Sequence, residues 1–277
     1  MKLEMHSHTH YSKGGKIRFD GIESPEVMVR QAKEVGLDGI VITDHNTSLG
    51  IKEAKAAGKK YGVYVVQGEE ISSAHGHVTA VGIQETVRPG MSIYDTVDAV
   101  HAQGGIAVSV HPFDINNDGL RERAKVCDAA EVFNGINIDR FSNIVARKFV
   151  ERHGMVGVAG SDAHTAAMVG SGTIEIKATD TDSIIKAIKS GKVTVHAKYP
   201  SVRVLKDYSV RKLQMSYDTT LQHIEENYKG TKKLISKKLL GTVQKSPGNI
   251  DKFFSVLAYT AFVSTLTYSF WKNGIRG

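Results

Sequence analysis

The sequence predicts an α/β barrel with a mostly parallel sheet, and three observations carry that expectation. Runs such as Gly39-Ile40-Val41-Ile42-Thr43 are continuously apolar, as strands covered on both faces are. Helical start and stop signals lie between such runs. Strand and helix alternate through seven or so units before residue 201, which suggests that the sheet closes on itself.

The elements follow in order. Leu3–His8 reads as a short first strand. Ser24-Pro25-Glu26 opens a helix with a capping hydroxyl, a proline at the first helical position and an acid in the first turn. Val27, Met28 and Val35 give that helix an apolar stripe, and Gly36 ends it. Gly39–Thr43 is the second strand, and a helix rich in Ala and Lys at about 51–60 leads to a third at Tyr61–Gln67. Val78–Ile83 is next, then a helix opened by Ser92 and closed at Gly104-Gly105. Ile106–Val110, Ala129–Phe133 and Met155–Ala159 continue the strands, with a helix over 139–153 ending at His153-Gly154.

Composition narrows the class. Of 277 residues, 41% are apolar and 23% charged, which excludes a disordered chain and a multi-span membrane protein. The single cysteine, Cys127, excludes a disulfide scaffold and a thiolate zinc cluster, so any metal must be held by histidine and carboxylate. It also suits a reducing compartment, and the start shows no basic-then-apolar leader, so a cytoplasmic location is expected. Residues 1–201 carry 23 Lys+Arg against 24 Asp+Glu, whereas residues 202–277 carry 13 against 5. A boundary near 201 therefore divides an almost neutral barrel (1–201) from a basic, mostly helical extension (202–277).

Within the extension, Lys232–Leu240 is a basic amphipathic helix of the kind that lies on anionic lipid. Ser246-Pro247-Gly248-Asn249 breaks the chain, and Phe253–Trp271 then runs 19 residues without a charge. As a helix it would be about 28 Å long, close to the bilayer core of about 30 Å. A C-terminal membrane anchor is the expectation there, with a helix docked on the barrel as the alternative.

Histidine concentrates where the strands end. His6 and His8 are two apart, so on a strand both face one side. Asp44-His45 follows the second strand, and Glu69-Glu70 the third. His77 lies in Gly76-His77-Val78, His111 follows Ile106–Val110, and Asp162 and His164 follow Met155–Ala159, again two apart. Residues at the carboxyl ends of barrel strands converge on one mouth. Six imidazoles and two or three carboxylates aimed at one cavity are costly unless two or three divalent cations compensate them. Any one of these histidines alone reads as surface or core. Glu69 is preferred over Glu70 and His77 over His75, while His101, His153, His196 and His223 fall outside the pattern.

Glu4-Met5-His6-Ser7-His8, Thr43-Asp44-His45-Asn46, Gly68-Glu69, Gly76-His77, Val110-His111-Pro112-Phe113 and Gly160-Ser161-Asp162-Ala163-His164 together resemble the polymerase and histidinol phosphatase (PHP) superfamily. The motifs come in that family's order over about residues 1–197, and Glu131-Val132-Phe133-Asn134 resembles another family element near the site. The resemblance implies a distorted seven-stranded (β/α) barrel whose di- or trinuclear centre hydrolyses phosphate esters. Carried over, His6, His8, Glu69 and Asp162 would hold one metal. Glu69 would bridge to a second with His77 and His111, and His45 and His164 would belong to a third, with Asp44 nearby.

One departure from the family stands out. Members often place an acid or histidine shortly after the second histidine, where this chain has Ser12-Lys13-Gly14. A charged lysine cannot ligate, so either the third site is weak or His10 substitutes. Lys13 and Lys16 either reach a substrate phosphate or belong to a solvated loop.

The implied chemistry is attack by a metal-activated hydroxide bridged near Glu69 and Asp162, with zinc, manganese or iron as the metal. The implied substrate is a phosphorylated small molecule or nucleotide. Only 33 residues separate the motif at His77 from that at His111, which argues against the helical insertion of some nucleic-acid-degrading relatives. The basic extension argues the other way, since cationic segments bind nucleic acid backbones. A non-catalytic, nucleic-acid-binding barrel, such as the archaeal ribonuclease P protein subunit, is the alternative from another class.

Overall fold

The computed structural model describes residues 1–14, 17–245 and 251–275. Among the described residues, nine strands form one sheet: β1 Lys2–Glu4, β2 Gly39–Ile42, β3 Tyr64–Ser73, β4 Gly76–Val81, β5 Ile106–Ser109, β6 Ala129–Asn134, β7 Val156–Gly160, β8 Gly172–Glu175 and β9 Thr194–Ala197. Their order is β7-β6-β5-β4-β3-β2-β1-β8-β9. Nine strands replace the expected seven, because β8 and β9 add an antiparallel pair beside β1. These strands, Gly-Thr-Ile-Glu and the mostly exposed Thr-Val-His-Ala, lack the continuous apolar run that marks β2 and β5 in the sequence.

The sheet is also less parallel than expected. β1/β2, β2/β3, β5/β6 and β6/β7 are parallel. β3/β4 and β4/β5 are antiparallel. The reason lies in connection length: β3 and β4 are joined through Ala74-His75 alone, and a parallel pair needs a crossover of a dozen or more residues. Past the strand ends, a single parallel rung between Ser7 and Ala163 joins the continuation of β1 to that of β7 and nearly closes the barrel.

The helices around the sheet are α1 Pro25–Glu34, α2 Ile51–Tyr61, α3 Ile93–His101, α4 Phe141–His153 and α5 Thr181–Lys189. Their starts follow the sequence signals. The Ser24 hydroxyl accepts from the Val27 N–H, and the Ser92 hydroxyl from the Asp95 N–H. α4 ends at Gly154, whose φ of 62° is the left-handed conformation a glycine C-cap provides.

The extension holds α6 Val202–Met215, α7 Tyr217–Asn227, α8 Gly230–Lys245 and α9 Asp251–Ser269. α6 starts at the compositional boundary, with Ser201 as its cap. It does not stand apart, because Tyr208 is buried in a core cluster with Met28, Val29, Ile42 and Met168. The break at Ser246-Pro247-Gly248-Asn249 lies outside the described residues. The membrane anchor expected at 253–271 is not supported: among the described residues, no helix is long and apolar enough to cross a membrane. The far end of α9 instead meets the barrel. Ser269 Oγ donates to Asp139 at 2.8 Å, the Phe270 ring meets Phe141 at 5.4 Å, and Lys272 Nζ donates to the Ile115 carbonyl at 3.0 Å.

Candidate metal centre

The Ser7–Ala163 rung organises the site. His8 N–H donates to the Ala163 carbonyl at 2.8 Å, and Ala163 N–H donates to the His6 carbonyl at 3.1 Å. Side chains alternate along extended chain, so His6 and His8 flank the rung from one side while Asp162 and His164 flank it from the other. These four residues therefore converge through one backbone pairing. Asp162 and His111 both hold positive φ, 50° and 31°, a costly conformation that the surrounding bonds impose.

Glu70, rather than Glu69, enters the cluster. β3 runs on to Ser73, and its alternation turns the two adjacent carboxylates to opposite faces. Glu70 Oε1 lies 2.9 Å from His77 Nδ1 and 3.1 Å from His111 Nε2. Its Oε2 lies 3.0 Å from His6 Nε2, 3.1 Å from His8 Nε2 and 3.5 Å from His45 Nδ1. Glu69 instead accepts the Val87 N–H at 2.8 Å, and burial pushes its pKa up to about 7. The expectation placed on Glu69 is thus corrected to its neighbour.

Among the described residues, three groups each have ligand atoms within 4.8 Å of one another: His6, His8, Glu70 and Asp162; His45, Glu70 and His77; and His8, Asp20, His45 and His164. Asp20 is the residue the sequence reading missed. Its Oδ2 lies 2.7 Å from His164 Nε2 and 3.3 Å from His45 Nε2. It supplies the acid sought at Ser12-Lys13-Gly14, and it is the one acidic residue between Glu4 and Glu23.

The other candidates go elsewhere. His10 packs against Tyr11 with the rings tilted and their centroids 4.5 Å apart, outside the three groups. Asp44 binds the Thr9 N–H and hydroxyl at 2.6 and 2.7 Å, pinning the loop rather than facing the cluster. Lys13 donates to the His10 carbonyl and lies over the Phe19 ring at 4.1 Å. Lys16 lies outside the described residues. His75 accepts the Ile93 N–H, His101 and His196 pair with Asp128 and Glu175, and His153 donates to the Phe149 carbonyl. None of these four joins the three groups.

Outer contacts fix how the inner rings present themselves. His6 Nδ1 faces Glu131 Oε1 at 2.9 Å, and His164 Nδ1 faces the Asp162 carbonyl at 2.8 Å. Carboxylate and carbonyl oxygens accept, so both Nδ1 atoms carry the hydrogen, and in the neutral, metal-binding form each ring would turn an Nε2 lone pair inward. Those lone pairs point at carboxylates: Glu70 and Asp162 for His6, Asp20 for His164. Acceptors facing acceptors in a buried site require a proton or a metal cation between them. Asp162 Oδ1 makes the same point, since it is buried with the Nε2 atoms of His8 and His6 at 3.2 and 3.4 Å.

Charge follows the same logic. Burial alone would raise Glu70, but His45, His6 and His77 hold it well below the usual carboxylate range. Burial would lower His8, but Asp162 and Glu70 push it up to about 10. Protons thus take up the role that the donor set offers to a divalent cation. Mixed imidazole and carboxylate ligands suit zinc, manganese or iron.

Known proteins are similar to parts of this chain in sequence and in fold. The chain is 36% identical over 152 residues to an uncharacterised protein of Methanocaldococcus jannaschii, covering 53% of this chain and 89% of that protein. A 69-residue stretch is 42% identical to the PolC-type DNA polymerase III of Oceanobacillus iheyensis, covering 25% of this chain and 4% of the polymerase. A family model described as PHP-associated matches residues 141–193. The chain belongs to the PHP superfamily. The PHP fold is also that of a solved two-domain protein from Bacteroides vulgatus, described as containing a predicted PHP-like metal-dependent phosphoesterase. That likeness has a TM-score of 0.59 at 18% identity, over 76% of this chain and 69% of the other.

The PHP cluster opens into a cavity of about 330 Å³. Asp114, Asn116, Asp118 and Asn137 line it beyond the histidines, and Tyr208 and Lys212 of α6 line another wall. The sequence carried no signal for that wall, since α6 lies beyond every PHP motif.

Proposed function

We propose that this PHP protein is a metal-dependent phosphoesterase acting on phosphorylated small molecules. The observation that carries the reading is the set of inward-facing imidazole lone pairs gathered around Glu70, Asp162 and Asp20. Divalent cations held there would supply Lewis acidity toward phosphate oxygens and lower the pKa of a water toward neutrality. The residues divide the remaining work. Glu70 spans two of the three donor groups, and His8 and His45 are likewise shared, so the groups are held as one unit. Glu131 holds the His6 ring through one oxygen, and its other oxygen accepts the His111 N–H at 2.8 Å. It thereby orients the His6 ring and fixes the His111 backbone without joining the three groups itself. Serine or cysteine nucleophiles have no part in this scheme: Cys127 is buried in a core cluster and the Ser161 hydroxyl donates to Glu4.

The cavity wall supports a small substrate over nucleic acid. Asp114 and Asp118 beside the cluster oppose a polyanionic backbone, whose binding depends on cationic contacts. The non-catalytic alternative is disfavoured by the intact donor set. The test is metal content of the purified chain together with turnover of p-nitrophenyl phosphate, bis-p-nitrophenyl phosphate and a short oligonucleotide. Metal with monoester turnover supports the reading. Full metal with oligonucleotide turnover alone would reverse the substrate class, and neither metal nor turnover would favour the binding barrel.

A further inference from the structure

The extension contributes to the site through α6. Among the described residues lining the cavity, Lys212 is the one lysine or arginine. Its ammonium donates to Asp20 Oδ1 and to the Tyr208 hydroxyl, the latter at 3.0 Å. An ammonium has three donors, so one remains for the cavity. Lys212 is not a loose surface lysine, because its side chain is only 21% exposed and α6 is held by independent bonds. The Tyr208 hydroxyl donates to the Asp20 carbonyl at 3.0 Å, and its ring packs on His164 at 5.4 Å. Arg211 pairs with Glu23 at 2.7 Å, and the Phe19 N–H donates to Ser216 Oγ at 3.0 Å.

Asp20 divides its two oxygens, Oδ2 toward His164 and His45 and Oδ1 toward Lys212. A cation among Asp20, His8, His45 and His164 would compensate that carboxylate by itself. The lysine would then be a second positive charge one carboxylate away, which is unfavourable unless an anion lies against both. Simple neutralisation of Asp20 therefore does not account for Lys212 once the site is loaded.

We propose that Lys212 binds a non-bridging oxygen of the substrate phosphate and biases the site toward phosphate monoesters. This rests on the phosphoesterase reading above. A monoester presents two negative charges to the fixed ammonium and a diester one, so the added cation favours the monoester. α6 would then be part of the active site rather than an appendage to the barrel.

The experiment uses the full chain, metal-loaded, as wild type, Lys212→Met and Lys212→Arg. It reads metal stoichiometry, inorganic phosphate binding by calorimetry, and kcat/KM on p-nitrophenyl phosphate and its bis ester. Lys212→Met is expected to keep wild-type metal while losing roughly ten- to a hundredfold in monoester kcat/KM, the worth of a charge-assisted hydrogen bond. Phosphate affinity should fall alongside, the diester should lose only a few-fold, and Lys212→Arg should recover part of both losses. Unchanged phosphate affinity in Lys212→Met would overturn the proposal, whatever the esters do. So would parallel loss of metal and of both ester activities, which would make Lys212 a support for Asp20. Phosphate binding that depends on Lys212 in a chain turning over neither ester would uphold the subsite while the phosphoesterase reading fails.

Discussion

Glu70→Gln is the sharpest perturbation of the proposed centre. The change keeps the shape of the side chain and removes one charge from a carboxylate with five imidazole nitrogens within 3.5 Å. At an effective dielectric of about 20, unit charges about 3 Å apart interact by about 5.5 kcal/mol. Losing half of one such interaction is about 2.8 kcal/mol, roughly a hundredfold in an equilibrium or rate constant. A ligand shared by two groups should therefore cost at least about a hundredfold in turnover and a measurable fraction of bound metal. Metal is counted by plasma mass spectrometry and rate by p-nitrophenyl phosphate hydrolysis, with circular dichroism confirming the fold. Glu69→Gln is the matched control, since Glu69 faces the Val87 N–H and not the imidazoles. It should leave metal and rate within about threefold, because the amide oxygen still accepts that one bond. A folded Glu70→Gln chain with wild-type metal and rate, or a Glu69→Gln chain that loses both, would refute the geometry.

Three further outcomes are expected. Asp20→Asn should lower metal stoichiometry without unfolding the chain, because it weakens the group of His8, Asp20, His45 and His164 alone; unchanged stoichiometry by mass spectrometry would remove Asp20 from the centre. Glu131→Gln should reduce metal affinity by about 10- to 100-fold in a chelator competition, as expected when the partner orienting a ligating ring is lost. Burial pushes the Cys127 thiol up to about 12, so a thiol reagent at pH 8 should label the native chain negligibly and the denatured chain fully. Since the folded value exceeds the unfolded value of about 8.5, the neutral thiol's contribution to stability is intact below that pH. It is lost as pH climbs toward about 12, and rapid native labelling at pH 8 would contradict the burial.

The sequence by itself determined the α/β alternation, because buried strands and capped helices leave local signatures in the chain. It also determined most of the donor set. His6 with His8, and Asp162 with His164, carry a spacing of two whose meaning depends only on extended backbone. His45 and His77 stood out by lying at or beside strand ends, as did His111, which faces Glu70 at 3.1 Å from outside the three groups. Tertiary structure decided what depended on strand length, loop path and packing between distant segments. Glu70 replaces Glu69 because β3 runs past Gln67 to Ser73, and a strand's facing is set by pairing with its neighbours. The β3–β4 hairpin and the added β8–β9 pair changed strand direction and number for the same reason. Asp20 reaches His164 across 144 residues of sequence, and Lys212 reaches Asp20 across 192. No local pattern encodes such separations, because loop closure and helix docking bring those residues together, and both depend on the whole chain.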